Sequence, residues 1–380
     1  MSFEDFGFRE TLLRGIFTYG WENPSELQQK VLPLMITGAD MIVQAPSGVG
    51  KTGCFGLGTL HFCHEKKCNG LILCTSRELA MQTYGVLQEL SKYDSSIHIV
   101  LVSGGTRRSD NVKELLESKL FIAVGTPGRT LDILSSYKNI SQTIADIVLD
   151  EADELLGSQG FVDTSRNIFS LLPIDARLSI FSATMSDSVV TLAKSLQKSP
   201  TILTVQDPRQ LSLAGIKQYF CLCNVNVEKL KMIEFMYQNW SISAAVIFCS
   251  SRNTVNWVSD QLSSRGFSVT RLHSDLTNDE RVRAMQAFRN GSTRVMVATQ
   301  VIARGLDVQN VQLVLQFDLV TDVDVYIHAV GRCGRYGRKG VNVCFLKDSD
   351  TPVYSDLCQH YGINSTELPE EMMIPEISQI

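Results

Sequence analysis

The feature that most restricts the fold is an alternation repeated along the whole chain: short, apolar, β-rich runs separated by longer helical patterns. In the first half the runs fall at Met41–Gln44, Leu71–Thr75, Ile97–Ser103, Phe121–Gly125, Ile147–Leu149, Ser179–Ser182 and Thr201–Val205. In the second half they fall at Gln218–Leu222, Ala245–Cys249, Ser268–Leu272, Arg294–Ala298, Gln312–Phe317 and Asn342–Leu346. Near-continuous apolar strands separated by helices indicate parallel sheets covered on both faces. Two α/β domains in series are expected. At 380 residues the chain exceeds one ordinary core, and 44% hydrophobic residues leave room for two. The joint is expected at "TVQDPRQLSLAG", Thr204 to Gly215, which gives domains 1–206 and 216–380 with a linker at 207–215. The closing "ELPEEMMIPEISQI", with its prolines and clustered glutamates, reads as a frayed tail.

Composition narrows the setting. No apolar run approaches the roughly 18 residues of a membrane span, and "MSFEDFGFRE" lacks the basic start and apolar centre of a signal peptide. Ten scattered cysteines without framework spacing suggest reduced thiols. An intracellular globular protein without a membrane partner is expected. The formal net charge of -5 still permits a nucleic-acid partner, since a local basic groove can act against a negative background. His61, Cys63, His64 and Cys68 in "HFCHEKKC" are potential zinc ligands, but no second ligand pair follows at finger spacing. That stretch reads better as a helix end.

A phosphate site follows the first strand. "QAPSGVGKT" leads into a helical pattern, and Ala45 to Thr52 fits the P-loop, with Ala in place of the first Gly. Gly48 and Gly50 let backbone N–H groups turn towards an oxyanion, and the helix behind adds its positive end. Lys51 would reach the β- and γ-phosphates, and the Thr52 hydroxyl would ligate Mg2+. Further on, "IADIVLDEADELL" ends an apolar strand in a carboxylate cluster, which is costly unless a cation or polar substrate meets it. Asp150 is expected in the Mg2+ shell, and Glu151 beside the attacking water as general base. Together the two motifs predict an NTPase.

Asp150-Glu151-Ala152-Asp153 spells the DEAD tetrad, and from Phe3 to about Phe345 the chain resembles a DEAD-box RNA helicase core. "GWENPSELQQ" and "FEDFGFRETLLRGIF" resemble the minimal translation-initiation type within that family. The resemblance implies two tandem RecA-like P-loop NTPase domains, an RNA-stimulated ATPase that unwinds short duplexes, and ATP with Mg2+ as cofactors. In "GWENPSELQ", the likeness of a Q motif, Gln28 would bond the adenine edge, Trp21 or Phe3 would supply an aromatic contact, and Asn23 belongs to the same element. The nucleotide would also touch Ser47, Gly48, Val49, Gly50, Lys51 and Thr52, with Asp307 of "ARGLD" on the ribose. "YIHAVGRCGRYGRKG" resembles the family's last motif, so Arg332 and Arg335 would be fingers to the γ-phosphate, beside Tyr336. Ser182 and Thr184 of "SAT", with His328, would couple hydrolysis to domain closure.

Five further loops resemble elements that grip the RNA backbone, "TSRELA", "SGGT", "TPGR", "CSSR" and "NDER". They carry Arg77, Gly104, Gly105, Thr126, Pro127, Gly128, Arg129, Ser250, Arg252 and Arg281, and Thr299 joins them. Backbone contact implies little sequence preference, with 2′-hydroxyls separating RNA from DNA. The implied partners are RNA and protein regulators of domain closure; a monomer in the cytoplasm, or in the nucleus, is expected. Two rival classes are an ATP-gated RNA clamp with little unwinding and a DNA translocase, the latter disfavoured by the Q motif and the tetrad. The chain departs from the family pattern at Val49, Asn278, Gln300 and Ala329. An arginine is usual at the last of these and an acid at Gln300, so weaker interdomain coupling is expected, recoverable by Ala329→Arg alone or with Gln300→Asp.

Overall fold

The computed structural model describes residues 1–45, 48–157, 159–185, 187–197, 199–204, 216–300, 311–331, 333 and 340–368. Its strands are β1 (Met41–Gln44), β2 (Asn69–Leu73), β3 (His98–Val102), β4 (Phe121–Gly125), β5 (Ile144–Asp150), β6 (Arg177–Ser182) and β7 (Thr201–Thr204), then β8 (Ile216–Leu222), β9 (Ala245–Cys249), β10 (Val269–Leu272), β11 (Val295–Thr299), β12 (Leu313–Gln316), β13 (Gly340–Leu346) and β14 (Ser365–Glu367). They form two seven-stranded sheets, ordered β3-β4-β2-β5-β6-β1-β7 and β10-β11-β9-β12-β13-β8-β14, in which every described pairing is parallel. Renumbered from the start of each sheet, the two orders are the same. The chain builds one topology twice.

Helices supply the crossovers that parallel pairing demands. In the first unit they are α1 (Glu10–Thr18), α2 (Glu26–Thr37), α3 (Lys51–Lys66), α4 (Arg77–Leu90), α5 (Arg108–Glu117), α6 (Pro127–Ser136), α7 (Lys138–Ser141), α8 (Ala152–Gly157), α9 (Gln159–Leu171) and α10 (Asp187–Ser195). In the second they are α11 (Asn226–Asn239), α12 (Arg252–Ser264), α13 (Asn278–Arg289), α14 (Val323–Val330) and α15 (Thr351–Tyr361). The units divide as Met1–Pro208 and Arg209–Ile380, a boundary that falls among residues outside those described.

Strand side chains alternate between the two faces of each sheet. Met41, Val43, Ile72 and Val148 enter one core of the first unit, while Ile42, Leu71, Leu73, Ile147 and Leu149 enter the other. The second sheet is packed the same way, with Ala245 and Ile247 on one side and Val246 and Phe248 on the other. Central strands are buried along their length, whereas the edge strands β7 and β14 expose every second residue or more. Each fully buried Val, Leu or Ile side chain contributes roughly 1.5–3 kcal/mol, so the centre of each sheet is its most stable part.

Strand β5 begins earlier than its apolar run because Asp146, fully buried, accepts from Arg177 of β6 at 2.6 and 2.9 Å. Arg177 also donates to the Met35 carbonyl and stacks on the Phe62 ring. The two charges break the apolar pattern but satisfy each other. Strand β14 is too short and polar to read as a strand. It pairs through its backbone with β8, and the Leu368 amide donates to the Phe220 carbonyl at 2.8 Å. The start of the stretch expected to fray is therefore ordered; its remainder lies outside the described residues. His61 to Cys68 form the last turns and cap of α3, with His61 against the Phe8 ring. None of the ten cysteines is in a disulfide, and among the described residues no helix is long and apolar enough to cross a membrane.

Candidate nucleotide and nucleic-acid site

Parallel α/β sheets bind ligands at the carboxyl ends of their strands, and the predicted residues of the first unit gather there. After β1 the Ala45 amide donates to the Ser182 carbonyl of β6 at 3.0 Å, which directs the loop out of the sheet. Gly48 and Gly50 adopt φ of 84° and 98°, a left-handed conformation in which a Cβ would be strained. Helix α3 then starts at Lys51, so its first-turn N–H groups and positive dipole end face the loop. The Lys51 ammonium donates to the Ala45 carbonyl at 2.6 Å, back across its own loop. Thr52, half-buried, is next along the helix.

Gln28 reaches the same loop from α2. It is the third residue of that helix, where its Oε1 accepts from the Ser25 amide at 2.8 Å and its own amide donates to the Ser25 hydroxyl at 3.3 Å. The Ser25 hydroxyl in turn donates to the Val49 carbonyl at 3.1 Å, a bond indifferent to the Val49 side chain. A methyl group on Gly53 would collide with Gln28 Nε2 and the Trp21 ring, so only glycine admits this approach. Trp21 is half-buried and packs edge-on against Tyr19, with centroids 5.0 Å apart. Phe3, by contrast, is wholly buried in the core, which leaves Trp21 as the ring of the pair with an accessible surface. Asn23 is exposed.

Strand β5 brings Asp150 and Glu151 to the same edge, 4% and 7% exposed. Burial, reinforced by the Glu151 charge and opposed by Lys51, pushes the Asp150 carboxyl up to about 7. The Lys51 charge offsets that burial only in part, and one carboxylate with the Thr52 hydroxyl suits Mg2+ carried on a phosphate better than a protein cage. Glu151 has φ 53°, the left-handed region, at a cost of roughly 1–3 kcal/mol. Its amide donates to Asp150 Oδ1 at 3.0 Å, and its Oε2 accepts from the Thr75 hydroxyl at 3.1 Å. Asp153, quoted in the tetrad but given no role from sequence, accepts from the Thr184 hydroxyl at 2.7 Å, and its amide donates to the Ser182 hydroxyl at 3.3 Å. Ser182 and Thr184 are thus bonded to the carboxylate cluster.

The loops after β2, β3 and β4 adjoin one another. The Arg77 guanidinium lies over Gly104, and Gly105 has φ 111°. Arg129 turns inward, donating to the Thr106 carbonyl at 2.8 Å and to Asn111 Oδ1 at 3.2 Å, so it braces the "SGGT" loop. Pro127 and Gly128 open α6 behind Thr126, and Gly128 has open space before it. In the second unit Ser250 and Arg252 follow the end of β9, Thr299 is the last residue of β11, and Arg281 lies in the first turns of α13. Arg252 pairs with Asp275, and Asp318 accepts from the Ser250 amide and hydroxyl at 2.8 and 2.7 Å. Lys229 lies 3.7 Å from Asp318, and burial pushes its ammonium down against the pull of that acid. Gln300 donates to the Asp318 carbonyl at 3.1 Å. Asp318 went unnoticed in the sequence, although an acid just after an apolar strand is the signal that found Asp150. Ser47, Asp307, Arg332, Arg335 and Tyr336 lie outside the described residues, as do the side chains of Asn278 and His328.

Comparison with known proteins agrees with this arrangement. A family model described as DEAD/DEAH box helicase matches residues 25–192, and one described as Helicase conserved C-terminal domain matches residues 228–337. The chain is 41% identical over 374 residues to a probable eukaryotic initiation factor 4A of Trypanosoma brucei brucei, covering 97% of this chain and 91% of the relative. It is 38% identical over 370 residues to the ATP-dependent RNA helicase FAL1 of Scheffersomyces stipitis, covering 97% and 92%. Among solved structures, S. cerevisiae Dbp5 bound to RNA and ADP BeF3 matches with a TM-score of 0.88 at 33% identity, over 97% of this chain and 95% of that one. A Dbp5 variant bound to a Gle1 variant and IP6 matches at 0.80 and 33%, over 100% and 97%.

Proposed function

This chain belongs to the DEAD/DEAH box helicases, and from that premise we propose that it is an ATP-dependent RNA helicase that separates short duplexes by gripping the RNA backbone. The observation that carries the reading is the clustering at one sheet edge of the phosphate loop, the Asp150–Glu151 pair and the Ser182–Thr184 stretch, with Asp153 bonded to both Ser182 and Thr184. Loop N–H groups and Lys51 hold the triphosphate, and Gln28 with Trp21 reads adenine. Thr52 and Asp150 would hold Mg2+, whose charge would neutralise phosphate. Glu151 takes the proton of the attacking water. Asp153 then transmits the change in phosphate contacts to Thr184.

Arg332 and Arg335 supply further charge to the γ-phosphate, worth roughly 10³ to 10⁵ in rate for such fingers, and Asp307 meets the ribose. Arg77, Gly104, Gly105, Gly128, Arg252 and Arg281 serve the RNA backbone, while Arg129 acts indirectly through the loop it braces. ATP and RNA favour the same state, so each tightens binding of the other by an equal factor. The initiation-factor names of the relatives support a cytoplasmic role in translation initiation, and the Gle1-bound neighbour supports protein regulators. The protein acts as a monomer on this reading. Steady-state ATPase with and without RNA, run beside displacement of a short duplex strand, tests the proposal. Stimulated hydrolysis with displacement is expected; retention of RNA by ATP without turnover would favour the clamp.

A further inference from the structure

We propose that Thr75 is a positioning residue for the general base, its hydroxyl holding the Glu151 carboxylate in the orientation that meets the attacking water. The proposal rests on the reading of Glu151 as that base. Thr75 is 9% exposed, and its Oγ1 donates to Glu151 Oε2 at 3.1 Å. The contact joins neighbouring strands: Leu73 of β2 is in register with Leu149 of β5, and each residue lies two positions beyond.

Thr75 is held from both sides. The preceding Cys74 amide donates to the Gly125 carbonyl at 2.9 Å, and the following Ser76 caps α4, its hydroxyl accepting from the Leu79 amide at 3.1 Å. A β-branched side chain adds its own stiffness at χ1. Glu151 needs such a partner, because its left-handed backbone fixes where the side chain starts but not where the carboxylate ends. A hydroxyl is also suited to the chemistry. It donates to a carboxylate and accepts from a carboxylic acid, so the contact can persist when Glu151 takes up a proton. A group that merely filled space beside Glu151 would need no hydroxyl. Thr75 also lies two residues before Arg77, so the loop that orients the base carries a proposed RNA contact.

The test measures kcat and KM for ATP at saturating RNA in Thr75→Val, Thr75→Ser and Glu151→Gln, and in the Thr75→Val/Glu151→Gln pair. Loss of a hydrogen bond to a charged group predicts that Thr75→Val lowers kcat roughly ten- to a hundredfold while KM stays within about twofold. Thr75→Ser, which keeps the hydroxyl, should recover most of the rate. In the Glu151→Gln background Thr75→Val should add little further loss, since the group it positions is gone. Should Thr75→Val melt below the assay temperature, Thr75→Ala carries the same expectation. A folded Thr75→Val with wild-type kcat, or with an equal proportional loss in the Glu151→Gln background, overturns the proposal and leaves the helicase reading standing. A wild-type chain with no RNA-stimulated turnover sinks both.

Discussion

At Asp150 the protein keeps an acid where its charge is least welcome. Burial raises this carboxyl from the ordinary 3.8 to about 7, whereas in the unfolded chain it titrates normally. Between those values the folded state binds the extra proton, so its stability falls as pH rises from about 4 to about 7. The contribution is on the order of 2–4 kcal/mol. Calorimetry of the nucleotide-free protein should show a melting temperature that declines over that range, and Asp150→Asn should remove most of the decline. A flat or rising profile attributable to this site would contradict the assignment. Gln28 is a second residue with two duties, since one amide group serves the first turn of α2 and faces the nucleotide loop. Gln28→Ala should raise the KM for ATP and narrow the preference over GTP. It should also lower stability by about 1 kcal/mol through the lost cap. An unchanged ATP/GTP ratio of kcat/KM would place base recognition elsewhere.

Elements were legible where burial is one-sided or total, and obscure where polar groups pair inside. Apolar runs located β1, β4 and β9 to the residue, because nothing polar interrupts them. The starts of β5 and β6 were hidden by Asp146 and Arg177, whose pairing only the folded neighbourhood reveals. Motif spacing brought the phosphate loop and the tetrad to one edge, yet it could not say which arginines face solvent. Arg129 is the instructive case: its motif groups it with the RNA contacts, and the fold also has it tie α6 to Thr106 and Asn111. Arg129→Ala should therefore loosen the 103–106 loop by about 1–2 kcal/mol, seen as faster amide exchange there. RNA affinity should fall with it, while RNA-free ATP affinity holds. Ala329 bears on a second expectation. It is wholly buried in the core around α14, so an arginine would be driven among apolar side chains rather than gain an interface. Ala329→Arg should cost about 3 kcal/mol or more, read as a lower denaturant midpoint. Tighter RNA coupling in a fully stable variant would refute this.

Over the whole molecule the repeated strand order leaves two equivalent places for an anion, the carboxyl ends of β1 and β8. After β1 come the glycines of the phosphate loop, with a helix whose first turn is unclaimed by any acid. After β8 the corresponding helix, α11, is closed by its own side chain, for Glu228 accepts from the Val225 amide at 3.2 Å and places a carboxylate in its first turn. A phosphate approaching there would meet like charge, whereas the first turn of α3 carries no acid. Duplication of the scaffold should therefore not duplicate the ligand. Calorimetric titration with a non-hydrolysable ATP analogue should saturate at one equivalent per chain, and a second equivalent would show that α11 can be displaced from its own cap. On that stoichiometry a chain with one fuel socket and two matching frames would spend a single nucleotide per cycle, and the work for parting RNA strands in each cycle would be bounded by one hydrolysis.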